Sequence, residues 1–220
     1  MNQNVIPDAL LLLAPGCPHC PVVLEGLSGL LKEGVIGRLE AVNVAIHPER
    51  AAELGVRTVP WARVGPFELE GVQTPAELRL WAEQANSLDG MADYFFQLLT
   101  SGRRAKVEEM ARQEPSRLRA LVRLMERPDT SMAVRLGIGA VLEELSGSGL
   151  AETMIADLGV LARNGDALTR ADACHFLSLI GGQHVAPWLR SCLDDEDKEV
   201  REIAAEALEE LEQKKPRNLG

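Results

Sequence analysis

Aromatic side chains are scarce in this 220-residue chain, 4% of the total, so its cores must be built mostly from Leu, Val, Ile and Ala. Long apolar runs are missing as well. The segment Ala9–Ala14 is apolar but far short of the roughly 20 residues that a membrane-spanning helix needs. Met1-Asn2-Gln3-Asn4 carries no Lys or Arg, so no secretory signal is read and a soluble, cytoplasmic protein is expected. Positive charge is not in excess. A net charge of −10 argues against a general binder of nucleic acid or anionic membranes. Cysteine is sparse too: four residues are too few for a disulfide scaffold at this length. Two of them, Cys17 and Cys20, share one C-x-x-C, while Cys174 and Cys192 stand apart. In a reducing compartment such spacing favours redox or metal chemistry. Zinc asks for four ligands. No second pair is present, and His47, His175 and His184 have no partners at ligand spacing, so no metal and no other cofactor is expected.

What the chain does have is an ordinary globular balance, 46% apolar and 25% charged, enough for one large domain or two small ones. Up to residue 87 strand and helix signals alternate. Ala9–Ala14 reads as a strand buried on both faces, broken by Pro15-Gly16. From Pro18 to about Lys32, Val22, Val23, Leu27, Leu30 and Leu31 recur at helical spacing. Arg38–Ile46 alternates like a second strand, and Pro48 opens a short helix. Trp61–Val64 and Phe67–Leu69 flank the turn residues Gly65-Pro66 as a hairpin. Thr74-Pro75-Ala76-Glu77 places an N-cap and a first-turn proline before a helix to about Gln84. The expected order over 1–87 is β-α-β-α-β-β-α, an α/β domain with a partly parallel sheet.

Beyond a linker at Ser87-Leu88-Asp89-Gly90 only helical patterns follow, across 91–213, and the tail 214–220 reads as frayed. Three segments repeat. Ile138, Leu142 and Leu145 follow Arg135 at the same offsets as Ala173, Leu177 and Ile180 follow Arg170, and as Ala204, Leu208 and Leu211 follow Arg201. The period suits helix-pair solenoids. This half resembles the HEAT-like repeat family, with Asp197-Lys-Glu-Val-Arg201-Glu-Ile-Ala-Ala-Glu-Ala-Leu as its best match, from about Thr130 onward. Cys174 falls at a small-residue packing position shared with Gly139 and Ala205, and Cys192 at an exposed helix end. Arg103–Arg135 carries more cations than anions. It reads as a charged helix face, with docking of an acidic partner as the other account. Solenoids present extended binding surfaces, so a protein partner on the repeats is expected.

The chemistry centres on Cys17-Pro18-His19-Cys20. It follows a buried strand and opens a helix, where backbone N–H groups and the positive dipole end favour a thiolate. Cys17 is then the nucleophile and Cys20, one turn deeper, the more buried resolving thiol. His19, when cationic, stabilises the Cys17 thiolate and makes the couple more oxidising. The second landmark is Gly55-Val56-Arg57-Thr58-Val59-Pro60-Trp61. Together the two landmarks resemble the thioredoxin and glutaredoxin superfamily over about 5–85. That resemblance implies a thioredoxin-like fold, a cis Pro60, and a client segment bound at Thr58, Val59 and Pro60 through the Val59 main chain.

Details within the superfamily are mixed. Cys-Pro-His-Cys is the tetrapeptide of strongly oxidising periplasmic disulfide oxidases, whose helical insertion is missing here. Thr58-Val59-Pro60 is the glutaredoxin form, without a clear Gly-Gly and Asp for glutathione. Cys20-Pro21-Val22-Val23 and the compact size are similar to glutaredoxin-like domains of bacterial peroxide-reducing flavoproteins and archaeal disulfide oxidoreductases. The acid that many thioredoxins bury before the first cysteine is replaced by Leu11, the tryptophan before that cysteine by Gly16, and the usual Thr after the cis-proline by Trp61. The expectation is a protein thiol-disulfide oxidoreductase whose repeats recruit a protein disulfide or dithiol client. The resemblance implies recycling by glutathione or a thioredoxin-reductase-type partner. The alternative is a non-catalytic protein-binding adaptor built from the same two parts.

Overall fold

The structure, a computed structural model, describes residues 5–213; the segment 214–220, expected to fray, lies outside them. The chain divides into two compact units, Met1–Met91 and Ala92–Gly220. No helix among the described residues is long and apolar enough to cross a membrane.

The first unit contains β1 (Ala9–Leu13), α1 (Cys20–Lys32), β2 (Leu39–Asn43), α2 (Pro48–Glu53), β3 (Trp61–Val64), β4 (Phe67–Glu70) and α3 (Pro75–Gln84). Its four strands form one mixed sheet in the order β2-β1-β3-β4. β1 pairs parallel with β2, Leu11 opposite Ala41, and antiparallel with β3, Leu11 opposite Ala62. β3 and β4 form the antiparallel hairpin. Strand β1 is central, which is why its run is apolar on both faces. On one face Leu10, Leu12 and Trp61 pack with Val42, Ala51, Leu54 and Val59. The other face sends Leu11 and Phe67 into a core that Val23 and Leu27 of α1 and Leu78 and Trp81 of α3 also enter, all buried. Phe67 and Trp81 meet with ring centroids 4.8 Å apart.

Some boundaries differ from the sequence expectation, for local reasons. Helix α1 begins at Cys20 rather than Pro18, with His19 as its N-cap and Pro21 in its first turn, where a proline's missing N–H costs nothing. Strand β2 stops at Asn43, where the side-chain Oδ1 accepts from the Ala45 N–H at 3.0 Å and the carbonyl accepts from His47 N–H at 2.9 Å. That turn removes Val44–Ile46 from the strand. Helix α3 starts as the sequence predicts, with a full capping box. The Glu77 N–H donates to Thr74 Oγ1 at 3.2 Å while Glu77 Oε2 accepts the Thr74 N–H at 2.7 Å.

The segment read as a linker is helical: α4 spans Leu88–Thr100. Ser87 caps it, its Oγ accepting from the Gly90 N–H at 2.8 Å. Gly90 is required there, since a Cβ would lie 2.5 Å from the Gln84 carbonyl.

In the second unit the regular elements among the described residues after α4 are all helices. They form α5 (Arg104–Gln113), α6 (Arg119–Met125), α7 (Met132–Glu144), α8 (Ile155–Asn164), α9 (Ala167–Ile180), α10 (Ala186–Ser191) and α11 (Lys198–Gln213). Short 3-10 turns at Pro115–Leu118 and Leu150–Met154 lead into α6 and α8. The repeated arginines explain themselves here. Arg135 on α7 pairs with Asp172 on α9 at 2.6 Å. Arg170 on α9 makes two bonds of 2.8 Å to Asp195, just before α11. Arg201 on α11 donates to the carbonyls of Asp195 and Glu196 at 2.5 and 2.9 Å. Each arginine ties its helix to the next repeat or to the turn before its own. The cations of Arg103–Arg135 are likewise engaged: Arg104, Lys106, Arg112, Arg117, Arg119, Arg123, Arg127 and Arg135 all lie in ion pairs, and Arg103 bonds Ser101. This is a charged helix face already paired with its own acids.

Candidate functional site

Cys17, Pro18 and His19 form the link from β1 to α1, and Cys20 is the first helical residue. Cys17 is half-buried, Pro18 and His19 are exposed, and Cys20 is buried beneath them. Cys17 and Cys20 are joined as a disulfide with Cα atoms 5.5 Å apart. The Cys20 N–H donates to Cys17 Sγ at 3.2 Å. Cys17 itself lies outside the helix, so the stabilising contact is this one N–H together with the helix start rather than a cap position.

His19 is the N-cap residue of α1 and makes no side-chain capping bond. The residue is exposed.

The segment Thr58–Trp61, some forty residues further along the chain, comes to the same place. The Val59–Pro60 peptide bond is cis, and Cys17 Sγ lies 3.8 Å from the Val59 carbonyl oxygen, 42 residues away. Thr58 is exposed, Val59 half-buried and Pro60 buried. The Pro60 carbonyl accepts from the Gly71 N–H at 2.9 Å, fixing the loop to the end of β4. Beside it a cavity of about 170 Å³ is lined by Arg57, Thr58, Trp61, Glu68 and Glu70, among others. Trp61 forms the wall between this cavity and the core, being buried against Leu12 and Leu10.

On β1, six residues before Cys17, Leu11 is wholly buried. No carboxylate replaces it on β1. Glu25, the nearest acid downstream on α1, is exposed on a groove shared with Pro75, Ala76 and Arg79. Among the described residues, no group of three or more His, Cys, Asp or Glu side chains converges on a point that could hold a metal ion. His47 is exposed and bonds Glu49 at 3.1 Å, while His175 and His184 are exposed.

The second unit corrects one expectation. Cys192 is not an exposed helix end: it is 1% exposed, and Cys174 is wholly buried. Cys192 caps the C-terminus of α10, and α10 turns that end inward. Cys192 Sγ lies 3.5 Å from the Trp188 carbonyl oxygen and 3.7 Å from that of Ala162. Sequence spacing gave no hint of this, because the meeting of α9 and α10 depends on how the intervening Gly181-Gly182 turn aims the shorter helix.

Residues 118–209 match the family of HEAT repeats. The match reaches twelve residues further toward the N-terminus than the three-arginine pattern, which first appears near Thr130. The match supports a helical-repeat organisation over those residues, and repeats of this kind generally serve protein interaction. No curated protein matches the chain.

Proposed function

We propose that this protein is a thiol-disulfide oxidoreductase whose helical repeats hold a protein client or partner. The observation that carries the reading is the meeting of two distant segments at one sulfur. Cys17 Sγ receives the Cys20 N–H at 3.2 Å and faces the Val59 carbonyl at 3.8 Å, next to the cis Val59–Pro60 bond. The strand and helix order and the mixed sheet support the resemblance to the thioredoxin and glutaredoxin superfamily. In this reading the Cys17 thiolate attacks a client disulfide, the client's thiolate leaves, and Cys20 then displaces the client to close the Cys17–Cys20 bond. Reversal oxidises a client dithiol. Thr58 and Val59 align the client as an added strand, and His19 favours the thiolate. The repeats supply the protein-binding surface and raise the local concentration of the client.

Trapping tests the assignment. A Cys20→Ser chain should accumulate a mixed disulfide through Cys17, identifiable by mass spectrometry, because nothing remains to resolve it. If Cys17→Ser traps equally well, the roles of the two cysteines are wrong. If neither traps and insulin is not turned over, the site is not an exchange site. The second reading, a non-catalytic adaptor, draws on Leu11: a wholly buried leucine where a proton acceptor would assist turnover. Turnover of insulin by the wild type separates the two.

A further inference from the structure

Resting on the reading of the repeats as a protein-binding surface, we propose that one exposed face of α7, α9 and α11 binds a protein segment with an apolar end and a Lys- and Arg-rich end. The repeated arginines locate that face. On α7 the positions three, seven and ten residues after Arg135 are Ile138, Leu142 and Leu145, all buried. Two residues earlier is about 200° round a helix, the side turned away from that core. The positions so reached are equivalent in the three repeats, so they face the same way on each helix.

What they hold changes from helix to helix. On α7 they are Ala133, Leu136, Ala140 and Glu143. Leu136 is 68% exposed, and Met132, one turn before it, 56%. On α9 they are Leu168, Ala171, His175 and Ser178, with Leu168 47% exposed and Ala171 buried. On α11 all four are glutamates, Glu199, Glu202, Glu206 and Glu209, and all are exposed. Glu202 pairs with Lys198 at 2.7 Å, and the other three make no ion pair among the described residues. Arg201 does not neutralise them, being turned to the carbonyls of Asp195 and Glu196.

Three large apolar side chains exposed on neighbouring helices are more than scattered surface residues, and the charge beside them selects what covers them. A second copy of this chain, at net −10, would bring acid against acid, and nucleic acid would be repelled. A cationic protein segment matches. Helix α9 packs against both α7 and α11. Neighbouring helices lie about 8–10 Å apart, so the apolar and acidic helices are separated by two such steps, the reach of about six residues of extended chain. The segment therefore carries its apolar side chains about six residues from its Lys and Arg.

A phage-displayed library of random twelve-residue peptides, panned on the full-length Cys17→Ser/Cys20→Ser chain, tests this. Enriched peptides should carry an apolar pair about six residues from a cluster of Lys or Arg. Panning on the same chain with Glu202→Lys/Glu206→Lys/Glu209→Lys should turn the preference from Lys and Arg to Asp and Glu. A peptide enriched on the parent chain should bind about tenfold more weakly once Leu136→Ser is added, and more weakly as salt rises. No enrichment, enriched peptides without cations or without an apolar pair, a preference that survives the charge reversal, or equal binding by the Leu136→Ser chain overturns the proposal. Should the triple reversal fail to fold, Glu206→Lys alone decides. The chain under test cannot exchange thiols, so failure here leaves trapping through Cys17 untouched, and failure of trapping leaves this binding untouched.

Discussion

Arg170 and Asp195 each expose only 11% of their side chains and meet through two bonds of 2.8 Å. A pair this enclosed differs from the exposed pairs around it, such as Lys198–Glu202, which contribute little. Removing one partner leaves the other charge without compensation, and breaking a buried pair costs about 3 kcal/mol or more. Arg170→Ala should lose stability of that order in urea titrations near neutral pH. The pH dependence has a definite sign. Arg170 holds the Asp195 carboxyl below its ordinary value of 3.8. A carboxyl depressed in the folded state contributes stability that is present above its unfolded value and is lost as pH falls through the folded one. The gap between wild type and Arg170→Ala should therefore be widest above 3.8 and close in more acidic solution. A gap constant through that range would show that the stability comes from packing of the arginine stem. Asp166 is depressed as well, chiefly by the Thr169 N–H that it caps and least by Arg170, so most of its contribution remains in the variant.

At the scale of elements, the tightest fit is α8 against the indole of α10. A Cβ on Gly159 would lie 2.2 Å from Trp188 Cδ2, and the Arg163 guanidinium covers the same ring, 4.8 Å from its centroid. Alanine is favoured over glycine inside a helix by about 1 kcal/mol, yet forcing an extra carbon into a packed site costs about 1–3 kcal/mol. Overpacking wins here because the obstacle is a rigid ring. Gly159→Ala should lower the melting temperature, whereas a rise would show that Trp188 swings out freely. Nothing in the sequence marked Gly159, since a helical glycine looks the same whether it faces solvent or an indole. What was legible had local causes: the N-cap at Thr74, the buried run of β1, and the repeated Arg135, Arg170 and Arg201. The partners of those arginines were not legible. Asp195 sits in Asp194-Asp195-Glu196-Asp197, a run that reads as a solvated turn, and only the approach of α9 selects which acid is enclosed. Cys192 was misread for the same reason, its burial being a property of the α9–α10 contact and not of its neighbours in sequence.

The whole molecule joins a small α/β unit bearing a dithiol to a region of helical repeats, and the use of that union can be tested without dividing the chain. If the repeats concentrate a client near Cys17, a full-length Cys17→Ser/Cys20→Ser chain, which keeps its repeats but cannot exchange, should compete for that client. In molar excess it should suppress the mixed disulfide trapped by the Cys20→Ser chain. Turnover of insulin by the wild type should be untouched by the same excess, since insulin is met only at the dithiol. Tethering of this kind raises apparent affinity by about 10²–10⁴, so the competitor should act at concentrations far below those needed to block an untethered encounter. Equal suppression of both reactions would mean that the dithiol surface alone selects the client. An unaffected trap would mean that the repeats hold some other protein.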